Sequence, residues 1–506
     1  VGHISRHSGV FFAGTIFSAA LGYVFKVYLA RVLGAEVLGI YALGITLVSF
    51  VGVFNTLGLV QSAVRFVAAY RAASKFQQLH ALLWRGTGIL LAANVLLAMV
   101  LLVFGRWIAV RFYHSPALVP YLPWFALIML FGVISGFYGK VLAGYRDISR
   151  RTVIVNFVGG PLTMLLAIFL LSRGLELRGY LVAQIVSAAM VCLLLLIAVR
   201  QLTPAEARFA AQPGSPVDKE VWSFSGSMLG IGLMEFLMSQ TDKVALGFYR
   251  GAREVGIYSV AAALVVYVPL FLSSVNQIFS PTIADLHTRG EHSLLARLFQ
   301  SLTKWVIGLT LPLALVMVIF ARPLMGIFGR DFEAGWPILI IGTLGQLVNC
   351  GVGSVGYLLL MSGHERRLIR VQMGMAAVMV GLSIVLVPIW GIVGAAAAAA
   401  ITNVGMNVRN LREVREALGI SPYNRSYLRL LPPTLATLVV IWFFRKNIAA
   451  FGHNWLAVIA ATVVAYLVFA ATALVSGLDE DDRLIARAIW SRIRGGFGGA
   501  AAGSLS

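Results

Sequence analysis

The sequence predicts an all-α polytopic membrane protein, and three observations carry that prediction. Of 506 residues, 59% are apolar, another 51 are glycine and only 12% are charged, about half the ~25% usual for soluble domains. Apolar runs of about 20 residues, the length that crosses ~30 Å of hydrocarbon as a helix, recur along the whole chain and raise the mean hydropathy to +0.88. The runs do not alternate every second residue, so a barrel is excluded and helices are left to satisfy the backbone in lipid.

Taken in order, the runs give about 14 spans: 9–32, 37–61, 82–104, 117–139, 152–172, 179–199 and 222–248, then 256–280, 303–321, 335–361, 368–388, 391–408, 429–445 and 455–476. The segments between them hold the charge. The net charge of +20 invites a nucleic-acid partner, but the 40 Lys and Arg residues are spread over short loops rather than gathered in one patch. With the N-terminus inside, the cytoplasmic segments hold 27 of them and the opposite side 11. The positive-inside rule then places both termini in the cytoplasm. Cys192 and Cys350 lie inside apolar runs, so neither a disulfide framework nor a metal site is expected. Residues 1–7 lead straight into the first span, which is too long for the apolar core of a cleavable signal.

Two basic residues, Lys26 and Lys243, fall inside spans, and an internal repeat relates them. Lys26 to Tyr41 reads KVYLARVLGAEVLGIY, Lys243 to Tyr258 reads KVALGFYRGAREVGIY, and eight of the 16 positions match at an offset of 217. An offset that carries six spans preserves orientation and predicts two six-helix lobes related by an axis along the membrane normal. The resulting organisation is an N-lobe over 1–200, a cytoplasmic linker over 201–221 with Pro204, Pro213 and Pro216, and a C-lobe over 222–408. Two appended spans follow over 409–476, and residues 477–506 read as an amphipathic helix on the anionic inner leaflet with a disordered end.

The paired segments Arg31-Val-Leu-Gly34 through Gly39-Ile-Tyr41 and Thr241-Asp242-Lys243 through Val255-Gly256-Ile257-Tyr258 resemble the signature of Wzx-type polysaccharide and oligosaccharide flippases. These form one branch of the multidrug/oligosaccharidyl-lipid/polysaccharide exporter superfamily. The resemblance implies a multi-pass protein of the bacterial inner membrane that moves a polyprenyl-diphosphate-linked oligosaccharide from inner to outer leaflet by alternating access. It implies no cofactor, leaves coupling to H⁺ or Na⁺ open, and adds polysaccharide assembly proteins as candidate partners beside the lipid-linked substrate and the bilayer. Two transport alternatives share the fold, a lipid II flippase and a drug/cation antiporter. An enzyme such as a glycosyltransferase would need an extramembrane loop with acids or His. The longest outer loop, about 105–121, contains no carboxylate.

A Lys, Arg or Asp at the bilayer centre costs about 2.5–3.5 kcal/mol, so such residues normally face a cavity or a partner. Lys26, roughly 25 Å along the first span, and Lys243, at equivalent depth in the seventh, are the candidate cations for a diphosphate. Arg65 ends the second span in a stretch, Ser62 to Tyr70, that resembles the family's arginine-bearing motif. Asn55, Asn276, Gln277 and Asn349 are the leading sugar ligands, from a wider set with Gln61, Asn156, Gln184, Gln346, Asn403 and Asn407. Many of these can equally serve as interhelical hydrogen bonds. Asp242 and Glu235 are the coupling or gate candidates, and Asp242 is a candidate partner for Lys26. Span one holds no acid, which weighs against the antiporter branch. A bare carboxylate at the depth of Glu235 carries a large desolvation penalty. That leaves a neutral acid bonded to Ser239, an ion pair with another span, or a site that alternates between states.

Overall fold

The computed structural model describes residues 2–209, 217–450 and 455–476, and these contain helices and turns with no strand. The stretch read from sequence as an amphipathic tail, 477–506, lies outside the described residues, as does part of the 201–221 linker. The described residues pack into two compact units, one within Val1–Val260, Phe328–Phe332 and Met379–Ala395, the other within Ala261–Ile327, Glu333–Val378 and Ala396–Ser506.

The first unit contains α1 (Gly2–Asn55), α2 (Leu59–Ala72), α3 (Gly86–Trp107), α4 (Leu122–Gly144), α5 (Gly160–Ser172), α6 (Glu176–Leu202), α7 (Lys219–Tyr249) and most of α8 (Ala252–Val265). Helix α4 packs on α2, α3 and α6, while α6 also packs on α5 and α1 on α7. Their shared core includes Leu59, Phe66, Leu82, Leu90, Phe137, Val141 and Leu195, all buried. Leu96, Val103, Phe104, Leu165 and Phe169 point outward, as expected where hydrocarbon and not water is the solvent. The two short stretches distant in sequence are tied in by polar contacts. Arg253 Nη2 meets Asp331 Oδ1 at 3.0 Å, and Arg250 Nη2 donates to the Pro388 carbonyl at 2.7 Å.

The second unit contains α9 (Leu270–Thr288), α10 (His292–Ile319), α11 (Trp336–Val352), the two ends of α12 (Glu365–Leu418), α13 (Leu431–Ala450) and α14 (Trp455–Val475). Helix α10 is its hub, against α9, α11, α13 and α14. Phe279, Ile283, Leu295, Phe299, Leu358 and Val414 form its core.

Eleven helices among the described residues are long and apolar enough to cross a membrane, or twelve if Ala252–Val265 and Leu270–Gln277, bent by 51°, are one span. The sequence gives about 14 spans. Two boundaries between predicted spans fall on glycines with non-helical backbone inside α1 and α12: Gly34 (φ 77°) separates 9–32 from 37–61, and Gly391 (φ 54°) lies where 368–388 gives way to 391–408, so each of these long elements is two helical segments that meet at a kink. Two predicted spans are themselves broken. The second stops at Asn55 and resumes at Leu59, with left-handed Leu57 and Gly58 between, and the Thr56 hydroxyl accepts the Gly58 N–H at 3.4 Å. The eighth breaks ahead of Pro269, which has no N–H to continue the ladder.

Candidate functional site

Within the first unit, α1 and α7 enclose a cavity of about 380 Å³. Helix α7 faces it with Met228, Ile231, Gly232, Glu235, Phe236, Ser239 and Gln240; α1 and the break after it contribute Ser49, Gly52, Val53, Thr56 and Gly58, and α2 contributes Gln61. The α7 positions recur at three and four residues, so one helical stripe carries them. Glu235 lies about 24 Å from Lys219 along a helix of about 46 Å, near its middle. It makes no hydrogen bond or ion pair among the described residues, so the bond to Ser239 considered from sequence is not present.

The same stripe continues to Lys243, whose Nζ donates to Gln240 Oε1 at 2.9 Å. Thr46 Oγ1 of α1 lies 3.5 Å from that oxygen. Lys26 is exposed on α1, and its ammonium is within electrostatic reach of Lys243 and repelled by it. Neither lysine forms an ion pair among the described residues. Asp242, adjacent in sequence, is turned away: its Oδ2 accepts from Tyr258 Oη of α8 at 2.5 Å, and its Oδ1 accepts from the Lys243 backbone N–H at 2.8 Å. Both Asp242 and Tyr258 are buried. Loss of a partner from a buried polar group costs about 1–3 kcal/mol, so Tyr258→Phe should lower the thermal stability of the purified protein by that order. Adding Asp242→Asn to Tyr258→Phe should recover part of it, because a neutral amide is easier to leave unpaired than a carboxylate.

Backbone approaches flank the cavity at both ends. At one, a Cβ on Gly58 would overlap the main chain of Ser225, and the Ser62 and Ser225 hydroxyls bond at 2.8 Å. Beyond them Arg65 Nη2 pairs with Glu220 at 3.2 Å and stacks on the Phe66 and Phe224 rings. Tyr70 Oη donates to Asp218 Oδ2 at 2.6 Å; burial, and then this bond to an anion, push the Tyr70 phenol upward. At the other end the repeat meets itself: a Cβ on Gly39 would overlap the Ala252 carbonyl oxygen, and one on Gly256 would overlap that of Ala35. Both Gly39/Gly256 and Ala35/Ala252 are separated by the 217-residue offset of the repeat, so the two copies of the motif cross about a local twofold.

Of the residues singled out in the sequence, Glu235 and Gln61 line this cavity, while Lys243 lies beyond its Gln240 end with Lys26 in electrostatic reach. Arg65 is instead ion-paired at the opposite end. Asn55 is buried, and its carbonyl accepts from Asn94 Nδ2 at 3.0 Å. Gln184 donates to Tyr41 Oη at 2.7 Å and Tyr180 Oη at 2.9 Å, joining α1 to α6. In the second unit Asn349 donates to Gln346 at 3.0 Å, Asn403 to the Gly345 carbonyl at 3.3 Å and Asn407 to the Asn403 carbonyl at 2.9 Å. There too, Asn276 Oδ1 is buried without a bond and Gln277 is exposed. Sequence reasoning missed Gln240, Thr46, Ser49 and Thr56. Gln240 was legible as the i−3 neighbour of Lys243, whereas the α1 hydroxyls carry no signal until α1 is rotated against α7.

The comparisons with known proteins accord with this architecture. The lipid II flippase MurJ in an inward closed conformation superposes with a TM-score of 0.72 at 15% identity, over 91% of this chain and 98% of that one. An inward-facing multidrug resistance MATE family transporter of the MOP superfamily gives 0.62 at 13% identity, over 79% and 94%. A MOP superfamily transporter from Pyrococcus furiosus gives 0.54 at 12% identity, over 82% and 95%. At these identities the likeness is one of fold. No sequence among the curated proteins matches significantly. The family model described as polysaccharide biosynthesis protein matches residues 4–287, which contain the repeat, both lysines and the whole cavity, and the chain therefore belongs to the polysaccharide biosynthesis protein family and has the helical fold of MOP superfamily transporters.

Proposed function

We propose that the protein is a flippase that moves a polyprenyl-diphosphate-linked oligosaccharide, a polysaccharide or O-antigen repeat unit, from the inner to the outer leaflet of the bacterial cytoplasmic membrane. It acts by alternating access as a carrier and not as an enzyme, with both termini cytoplasmic. One observation carries the reading. The repeat supplies one lysine from each copy, Lys26 and Lys243, and the two stand within each other's field with no acid neutralising either among the described residues. Like charges kept together at membrane depth are costly unless an anion joins them. A diphosphate brings about two negative charges and several acceptor oxygens, and a lysine is a point-charge donor on a flexible stem that can follow it.

Membership in a polysaccharide biosynthesis family favours an oligosaccharide-bearing lipid over lipid II, the substrate in the name of the MurJ match. Proteins that assemble the polysaccharide are the partners this role implies. Reconstitution tests the reading: proteoliposomes should translocate an undecaprenyl-diphosphate-linked oligosaccharide, with lipid II moved more slowly. Faster lipid II movement would reverse the assignment. Orientation is checked separately, with Cys192 and Cys350 replaced by serine. An impermeant thiol reagent added to whole cells should label Ala117→Cys and miss Ala73→Cys, both exposed positions.

A further inference from the structure

We propose that the cavity between α1 and α7 holds the sugar bonded to the diphosphate, and that Glu235 restricts this sugar to one without an acidic group. The inference rests on the carrier reading of Lys26 and Lys243 and goes beyond it in naming the chemistry of the glycan. Lys243 Nζ reaches back to Gln240, and Gln240 lines the cavity, so a diphosphate on Lys243 delivers its first sugar at the Gln240 end. From Gln240 to Glu235 is about 8 Å along α7, the length of one sugar ring with its substituents. The cavity, at about 380 Å³, is near the lower end of the ~300–1,000 Å³ of small-molecule sites, which is room for a sugar and not for a whole repeat unit.

A sugar presents hydroxyls on its rim and C–H groups on its faces, and the walls answer both. Glu235, Ser239 and Gln61 line the cavity, are exposed, and make no hydrogen bond among the described residues. Polar groups on membrane-spanning helices are costly unless a cavity or a ligand meets them. On the α1 side, Ser49 Oγ donates its proton to the Ile45 carbonyl at 2.7 Å and is left as an acceptor, while Thr56 Oγ1 accepts from the Gly58 N–H at 3.4 Å and keeps its proton to donate. A carboxylate accepts on two oxygens, so Glu235 suits a pair of neighbouring hydroxyls. Val53 and Phe236, both largely buried, supply the apolar contact. A Cβ on Gly52 or Gly232 would meet nothing closer than 4.0 Å, so glycine at these two wall positions keeps open the space that a side chain would fill.

Among the described residues that line the cavity, Glu235 alone carries a charge. A neutral hexose or an N-acetylated one brings it only donors and uncharged acceptors. A uronic acid brings a second carboxylate into the same space, with no cation on these walls to separate the two. At about 5 Å and an effective dielectric of about 20, that repulsion lowers affinity more than about 100-fold. The lysines therefore select the diphosphate, and Glu235 selects against an acidic group on the sugar that follows it.

The full chain, purified in detergent, is titrated with three ligands built on one polyprenyl diphosphate: the sugar-free lipid, its galactosyl form and its galacturonosyl form. The last two differ only in a carboxylate for the C6 hydroxymethyl group. The galactosyl lipid should bind about tenfold more tightly than the sugar-free one, the worth of about one net hydrogen bond, and the galacturonosyl lipid more than about 100-fold more weakly than the galactosyl one. Glu235→Gln keeps the shape and the hydrogen bonding without the charge, so it should bring the two sugar lipids to within a few-fold of each other. If Glu235→Gln does not fold, Gly232→Leu, favoured over glycine in a helix interior, should fill the cavity and weaken galactosyl binding to that of the sugar-free lipid. Equal binding of the two sugar lipids by the parent protein, an undiminished difference in Glu235→Gln, or a galactosyl gain that survives Gly232→Leu overturns the inference. With the sugar-free lipid still bound, any of these leaves the flippase reading standing. A parent protein that binds none of the three, the sugar-free lipid included, refutes the flippase reading as well.

Discussion

Replacing Gly39 or Gly256 by alanine should abolish export in cells and lower the thermal stability of the purified protein. The added Cβ would overlap the carbonyl oxygen of Ala252 in one case and of Ala35 in the other. Those are backbone atoms that cannot rotate aside, so α1 and α8 would have to separate. Each hypothetical Cβ also comes close to the facing glycine nitrogen, 3.1 Å from Gly256 N and 2.9 Å from Gly39 N. Overpacking a side-chain core costs about 1–3 kcal/mol, and overlap with main chain is at the upper end of that range or above it. Helices in lipid associate through close packing of small residues rather than by expulsion of water, so little compensates once contact is lost. Gly88→Ala is the control. Its Cβ meets nothing within 4 Å, and in a helix interior alanine is favoured over glycine by about 1 kcal/mol, so that variant should be neutral to stabilising and fully active. A functional Gly39→Ala protein of wild-type stability would refute the crossing.

The second large effect is expected at the lysines, and it has two opposite signs. Each hydrogen bond from an ammonium to a diphosphate oxygen is worth about 1.5–3 kcal/mol. Lys26→Ala or Lys243→Ala should therefore weaken binding of a polyprenyl diphosphate about 10- to 100-fold, and the double variant more than about 100-fold. Arginine at either position keeps the charge and should retain part of the activity. In the empty protein the two ammonium groups repel one another, so either single alanine should leave the ligand-free protein as stable as the parent or more so. Stability gained where binding is lost is the usual mark of a site built for function. Titration of the detergent-solubilised variants with a polyprenyl diphosphate, alongside their unfolding midpoints, reads both signs. A double variant that binds normally would remove the lysines from the site.

What the sequence determined by itself was whatever composition and spacing along one helix encode. Low charge and recurrent apolar runs leave only membrane-spanning helices, and the offset repeat marked Lys26 with Lys243, and Gly39 with Gly256, before any contact was known. The stripe from Gly232 to Lys243 on α7 was equally readable, because positions three and four apart must share a face. The tertiary structure decided which faces meet. It tied Arg65 to Glu220 and Gln184 to Tyr41, and turned Asp242 onto Tyr258 instead of toward Lys26. It also set the Ser49 and Thr56 side of α1 against Glu235. The reason is geometric: spacing fixes a side chain's angle around its own helix. The rotation and approach of the neighbouring helix depend on where small residues let two backbones come together, as Gly39 does at Ala252 and Gly58 does at Ser225.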